Sequence, residues 1–219
     1  MDASAARARV RIRVHVLAPL GRVAAGRGVG EAARAFARSV ASGWRDRLVE
    51  GDRRLQPCAS EKGGSKTGPS PVDRGRAGSK HHLLVDATGI PLAYTLTGGN
   101  RNDVTQLIAL LERVPAVAGL VGRPRRRPDR VVGDRGYDHD KHRRLVRTRG
   151  IKPVIARRQT EHGSGLGAVR WVVERTFAHL HQLKRLLVRY ECRADMHEAM
   201  LALGCCLVCH RRLRKLILQ

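Results

Sequence analysis

The sequence predicts a mixed α/β domain, a sheet of parallel and antiparallel strands with helices packed on it. Three observations carry this. His81-His82-Leu83-Leu84-Val85-Asp86 and Ile90-Pro91-Leu92-Ala93-Tyr94-Thr95-Leu96 are strand-like runs joined by the short turn Ala87-Thr88-Gly89, which reads as a hairpin. Arg130–Gly133 and Ile151–Ala156 are short apolar runs separated by a polar helical stretch that ends at Gly150, a good residue for closing a helix. Two long helical periodicities, about 168–189 and 195–216, finish the chain. The order β-β-α-β-α-β-α-α places helices against a mixed sheet.

The remaining elements follow in order. Residues 1–50 are dominated by Ala, Arg, Gly and Val, and only Val10–Leu20 and Glu31–Leu48 show periodicity. Ala33, Phe36, Ala37, Val40 and Trp44 keep helical spacing, but neither stretch has a clear cap. We expect residues 1–62 to form an irregular, poorly structured basic segment before a domain spanning 63–219. Glu61–Arg76, rich in Gly, Ser, Pro and Lys, reads as a loop, with order beginning at Lys80. Gly98–Asn102 is a turn, and Asn102 or Asp103 can cap a helix with Leu107, Ile108, Leu111 and Val114 on one face. Arg157–Gly167 is a Gly-rich loop.

Charge narrows the function. With 43 Lys+Arg against 19 Asp+Glu, the formal net charge is +24, unlike an enzyme for small metabolites. A polyanionic partner is implied, since a positive field speeds association and each neutralised phosphate releases counterions. A basic ribosome-associated or RNA-binding protein fits the charge equally. Aromatics are only 3 %, which argues against a stacking platform for single strands. The five cysteines and the absence of any long apolar run point to a reduced, cytoplasmic, nucleoid-associated protein without a membrane or small-molecule partner.

Two carboxylates stand where chemistry could be organised. Asp134 falls where the Arg130–Gly133 strand ends, and Glu174 lies within Trp171–Phe177 at the start of an amphipathic helix. Carboxylates so placed can hold hard divalent cations that activate a nucleophile and stabilise a leaving phosphate oxygen; surface ion pairing fits the same spacing. Arg170, Glu174, His181 and Arg185 share one face of a continuous helix. Arg125, Arg126 and Arg127 belong to a basic run that reads as a solvated charge cluster or a DNA-backbone contact. Cys206-Leu207-Val208-Cys209-His210 reads as core cysteines rather than a haem or zinc motif, His81-His82 as strand residues, and Arg211–Lys215 as a basic helix end.

Four segments in order resemble the bacterial insertion-sequence transposases of the DDE type, which carry a ribonuclease-H-like catalytic domain. They are Lys66-Thr67-Gly68-Pro69 through Gly78-Ser79-Lys80-His81-His82, Gly98-Gly99-Asn100-Arg101-Asn102-Asp103, Asp134-Arg135-Gly136-Tyr137-Asp138, and Trp171-Val172-Val173-Glu174-Arg175-Thr176-Phe177. The resemblance implies a ribonuclease-H-like sheet and phosphodiester cleavage followed by strand transfer at insertion-sequence ends. It implies Mg²⁺ or Mn²⁺ in a two-ion site, with Asp134 and Glu174 as catalytic ligands. Double-stranded terminal inverted repeats would be the DNA partner, homo-oligomerisation is compatible, and Arg170, His181, Arg185, Lys80 and Arg125–Arg127 would contact DNA. The family's first acid, on the first strand, is missing: its position falls near Arg54, beside Gln56 and Pro57, while Asp52 lies two positions away. The first strand is therefore degenerate. Codons for Gly51–Leu55 read one nucleotide later can spell Val-Ile-Asp-Gly-Ser, so residues 1–62 are read as an out-of-frame segment. The chain is then either a degenerate transposase or a catalytically dead DNA-binding remnant.

Overall fold

The computed structural model describes residues 48–49, 58–71, 73–116, 126–159 and 167–217, and the side chains of 48–49, 167–170 and 216–217 are outside that description. The strands are β1 (Leu48–Val49), β2 (Cys58–Ser60), β3 (Gly68–Pro69), β4 (Ala77–Asp86), β5 (Pro91–Gly98), β6 (Arg130–Gly133), β7 (Lys152–Ile155) and β8 (Val188–Arg189). The helices are α1 (Leu107–Glu112), α2 (Asp140–Thr148), α3 (Gly167–His181), α4 (Lys184–Leu187) and α5 (Ala194–Ile217), with 3₁₀ turns at Asp103–Gln106 and Arg135–Tyr137.

All eight strands form one mixed sheet, ordered β7-β6-β1-β4-β2-β8, with β3 and β5 also paired to β4. β4 is its spine. One edge carries β5 over most of its length and β3 beyond it; the other carries β1 at Val85–Asp86 and β2 at Gly78–Ser79. β1 runs antiparallel to β4 and parallel to β6, pairing Leu48 with Val131 and Val49 with Val132. β7 runs parallel to β6. A sheet of both senses flanked by helices is the ribonuclease-H-like architecture expected. Two of its strands, β1 and β2, come from before residue 63.

Both faces are covered, so β4 reads as a continuous buried run rather than an alternation. Leu84, Ile90, Leu92, Val104, Leu107, Val131, Tyr137, Val146 and Ile151 fill one face under α1 and α2. Leu83, Val85, Val173, Phe177, Leu180, Leu186, Leu201 and Cys205 fill the other, under α3, α4 and α5. Alternation sends neighbouring strand residues to opposite faces, so Val132 and Asp134 follow the α3–α5 face.

Local signals hold at several ends. The Asn102 side chain accepts the Val104 N–H and caps the helical stretch that follows. Gly150 adopts φ +72° after α2, the left-handed closure that glycine takes without a Cβ penalty.

The first of the two closing helices differs from expectation. It stops at His181, Leu183 is extended, and after the single turn of α4 the chain enters β8. Packing overrides the continuous helical periodicity here. Leu180, Leu183 and Leu186 all close on Gly204 of α5, where even a Cβ would come within 2.8 Å of two of them. Arg189 then locks the exit: fully buried, it donates to Ser79 Oγ (2.6 Å), Ser65 O (2.8 Å), Cys192 O (3.1 Å) and Glu191 O (2.7 Å). These bonds hold the extended chain of β8 against β4 and the Ser65 loop.

Candidate active site

Asp134 occupies the carboxyl end of β6, the strand between β7 and β1, with extended backbone at φ −83°, ψ −178°. It is buried, and its Oδ1 accepts the Gly136 N–H at 2.9 Å, so the carboxylate itself starts the Arg135–Tyr137 turn. Four residues on, Asp138 fixes that turn to the rest of the sheet. Its Oδ1 accepts from Arg143 (2.7–2.8 Å) and its Oδ2 from the Arg158 N–H (2.7 Å). Arg143 is buried as well and donates to Ile155 O at the end of β7 (2.7 Å). Burial alone would raise the Asp138 pKa, but the Arg158 N–H and the Arg143 guanidinium outweigh it and hold the carboxyl below its ordinary value.

Glu174 is exposed on α3, which packs against β1. Its neighbours anchor the helix: Arg175 Nη2 donates to Thr88 O (3.1 Å) and Thr176 Oγ1 to Gly89 O (2.9 Å). That turn follows Asp86, which is level with Leu48 and therefore with Val131. Asp134 lies three residues further along β6, about 10 Å at the rise of a strand. The two acids thus share a face of the sheet but stand at different heights on it. Asp86 is also buried, and desolvation raises its pKa. Its Oδ1 accepts from Thr88 and Ile90, so it serves the hairpin turn at the end of the sheet away from Asp134.

The other predicted residues separate. Because α3 ends at His181, Arg185 is not on the Glu174 helix; it sits on α4 and pairs with Glu191 (2.5 Å). His181 turns inward against Phe177, with ring centroids 6.3 Å apart, and burial lowers its pKa to about 4. Lys80 is buried, donating to Arg101 O (2.8 Å) and pairing with Asp103 (3.2 Å). Arg126 and Arg127 are exposed, and Arg127 donates to Arg149 O (3.1 Å). Arg170 belongs to the helical part of α3, its side chain outside the described residues, as Arg125 and Asp52 are entirely.

Periodicity did not single out the basic pocket between α3 and α5. Arg175, His179, Val208, Arg211, Arg212 and Lys215 line a volume of about 230 Å³. Arg212 Nη2 joins Arg175 at Thr88 O (2.8 Å), and Arg175 lies 4.5 Å above the Trp171 ring. Burial first, then the crowding cations Arg175, Arg211, Arg212 and Lys215, lower the pKa of His179. The clustered tail of the last helix, Arg211–Lys215, is the sequence signal that could have found it.

Residues 51–209 match the family described as Transposase DDE domain. The chain belongs to the DDE transposase family. It is also 54 % identical over 206 residues to a Burkholderia cepacia protein described as "Putative transposase for insertion sequence element IS402", covering 94 % of this chain and 98 % of that one. Only 13 of the 219 residues fall outside that match, so it takes in most of residues 1–62. No solved structure matches the chain. DDE transposases act on the DNA of insertion-sequence ends and use divalent metal ions. Among the described residues no helix is long and apolar enough to cross a membrane.

The donor chemistry at Asp134 suits such an ion: a buried carboxylate oxygen at a strand end. Among the described residues, neither Asp134 nor Glu174 belongs to a group of three or more metal-ligating side chains.

Proposed function

We propose that the chain is a DNA transposase of insertion-sequence terminal inverted repeats in which Asp134 and Glu174 are the retained ligands of Mg²⁺ or Mn²⁺, and in which cleavage and strand transfer are crippled by the missing first acid. The observation that carries this is Asp134, a buried carboxylate at the carboxyl end of β6 beside β1, together with the lack of an acid at the position near Arg54 where the family's first one is expected. A divalent ion held there would supply a more acidic water and neutralise phosphate charge. This chain's residues set the frame. Asp138, Arg143 and Arg158 hold the Asp134 turn, and Arg175, Arg211, Arg212 and Lys215 form a cationic pocket suited to the DNA backbone. Arg126 and Arg127 add exposed positive charge, and Arg125, Arg170 and Arg185 extend the proposed contact surface; His181 and Lys80 would act through the fold that buries them. A homo-oligomer that pairs two ends is compatible with this reading.

A second reading has Asp52, two positions from where the family's first acid is expected, supply the third acid. The test is nicking of duplexes carrying the element's ends, in Mg²⁺ and in Mn²⁺, by the wild-type chain and by Asp52→Ala. End-specific binding with nicking at or near background in both supports the crippled enzyme. Robust wild-type nicking lost in Asp52→Ala overturns that reading and establishes the second.

A further inference from the structure

The hydrophobic interior under α5 contains a polar cluster that the transposition chemistry does not use. Cys58 on β2, His81 on β4 and His197 near the start of α5 are all buried, and their ligand-capable atoms lie within 4.8 Å of one another. Cys58 Sγ is 3.7 Å from His81 Nε2 and 3.8 Å from His197 Nε2, and the two ring nitrogens are 2.7 Å apart. The imidazoles are nearly parallel, 22° between planes with centroids 4.9 Å apart.

We propose that Cys58, His81 and His197 form a buried site for a thiophilic divalent transition-metal ion of the zinc type, which pins β2 and β4 to α5. Tetrahedral zinc with one sulfur at about 2.3 Å and nitrogens at about 2.05 Å requires S···N separations of about 3.6 Å and an N···N separation of about 3.3 Å. Both sulfur distances meet this; the two rings need to part by about 0.6 Å. A water completes the four positions. The surrounding shell has the form such ligands require. His197 Nδ1 is 3.1 Å from Glu191 Oε2, which fixes that ring to offer Nε2 inward. Glu191 is itself held by Arg185 (2.5 Å). His81 Nδ1 has no hydrogen-bond partner among the described residues, while its Nε2 faces His197 Nε2 and Cys58 Sγ, the two atoms with which it would share an ion. Burial pushes the Cys58 thiol up to about 12 in the metal-free protein; binding displaces that proton to solvent and leaves a thiolate–metal bond.

The site is separate from the acids. Through the register, His81 lies two strands across and two residues along from Asp134, about 12 Å between α-carbons. Its donors are soft and borderline, whereas Asp134 and Glu174 offer only oxygen.

Titration of the dialysed full chain with Co²⁺ tests the proposal, because a cobalt–thiolate bond gives a charge-transfer band that oxygen ligands cannot. The expected result is one equivalent bound with that band and with tetrahedral d–d absorption, and one equivalent of zinc after growth with zinc. Cys58→Ser should abolish the band while Cys209→Ser, in the other cysteine group, leaves it. Glu191→Gln keeps all three ligands and should weaken Co²⁺ binding about 10- to 100-fold. Absence of the thiolate band in the wild-type chain overturns the site, and so does a band that persists in Cys58→Ser or an affinity unchanged in Glu191→Gln. None of these readouts depends on DNA cleavage.

Discussion

Replacing Arg143 by methionine keeps most of the side-chain volume and removes the cation that satisfies Asp138. Arg143 is 5 % exposed, and it donates to Asp138 Oδ1 at 2.7–2.8 Å and to Ile155 O at 2.7 Å. After the change Asp138 keeps the Arg158 N–H at 2.7 Å, and its next cation, Arg157, is 3.8 Å away and half exposed. Breaking a buried pair from one side costs about 3–5 kcal/mol, a large share of the roughly 5–15 kcal/mol that typically holds a domain together. With a urea slope of about 2 kcal/mol per molar, the unfolding midpoint should fall by about 2 M. The pH profile gives a second sign. The folded pKa of Asp138 is depressed, so its contribution is complete above the unfolded value, about 3.9, and is lost as pH falls through the folded value. Without Arg143 that depression shrinks, and the acid side of the stability profile should flatten. Because the pair acts as a unit, Asp138→Asn in the same chain should recover part of the loss. A midpoint shift equivalent to less than about 0.5 kcal/mol would match an ordinary surface substitution and refute the role given to this pair.

Two further outcomes are expected. Arg211→Ala with Lys215→Ala should weaken binding to duplex DNA evenly across sequences and reduce the slope of log affinity against log salt by about 1.8, since each phosphate left without its cation removes about 0.9; an unchanged slope would remove the α3–α5 pocket from the DNA surface. Leu83→Ala, at a fully buried position under α5, should cost about 2–5 kcal/mol in urea unfolding, and a loss below about 1 kcal/mol would show that this face is loosely packed.

Local chemistry made much of the fold legible. The β4–β5 hairpin, the Asn102 cap, the β6 and β7 strands and the Gly150 closure all rest on signals within a few residues. What failed was non-local. No periodicity predicts that α3 stops at His181, because the cause is Leu180, Leu183 and Leu186 converging on Gly204 of another helix. The buried role of Arg189 depends on carbonyls of Ser65 and Glu191 and the Ser79 hydroxyl, only one of which is close in sequence. β1 is two residues long, too short for an alternating pattern, and only pairing with β4 and β6 marks it. Of the candidate site, Asp134 was readable as an acid at a strand end. His81 read as an ordinary strand residue, since its partners Cys58 and His197 lie 23 and 116 residues away.

If the remaining chemistry resides in Asp134 and Glu174 and lacks one acid, restoring that acid should restore cutting. The decisive experiment is nicking of terminal-repeat duplexes in Mn²⁺, comparing this chain with one whose segment before Gly63 is replaced by the shifted-frame sequence containing Val-Ile-Asp-Gly-Ser. Nicking near background is expected for the present chain and metal-dependent nicking for the restored one, abolished in the latter by Asp134→Asn or Glu174→Gln. Nicking by the restored chain that survives Asp134→Asn would contradict the assignment of the two acids.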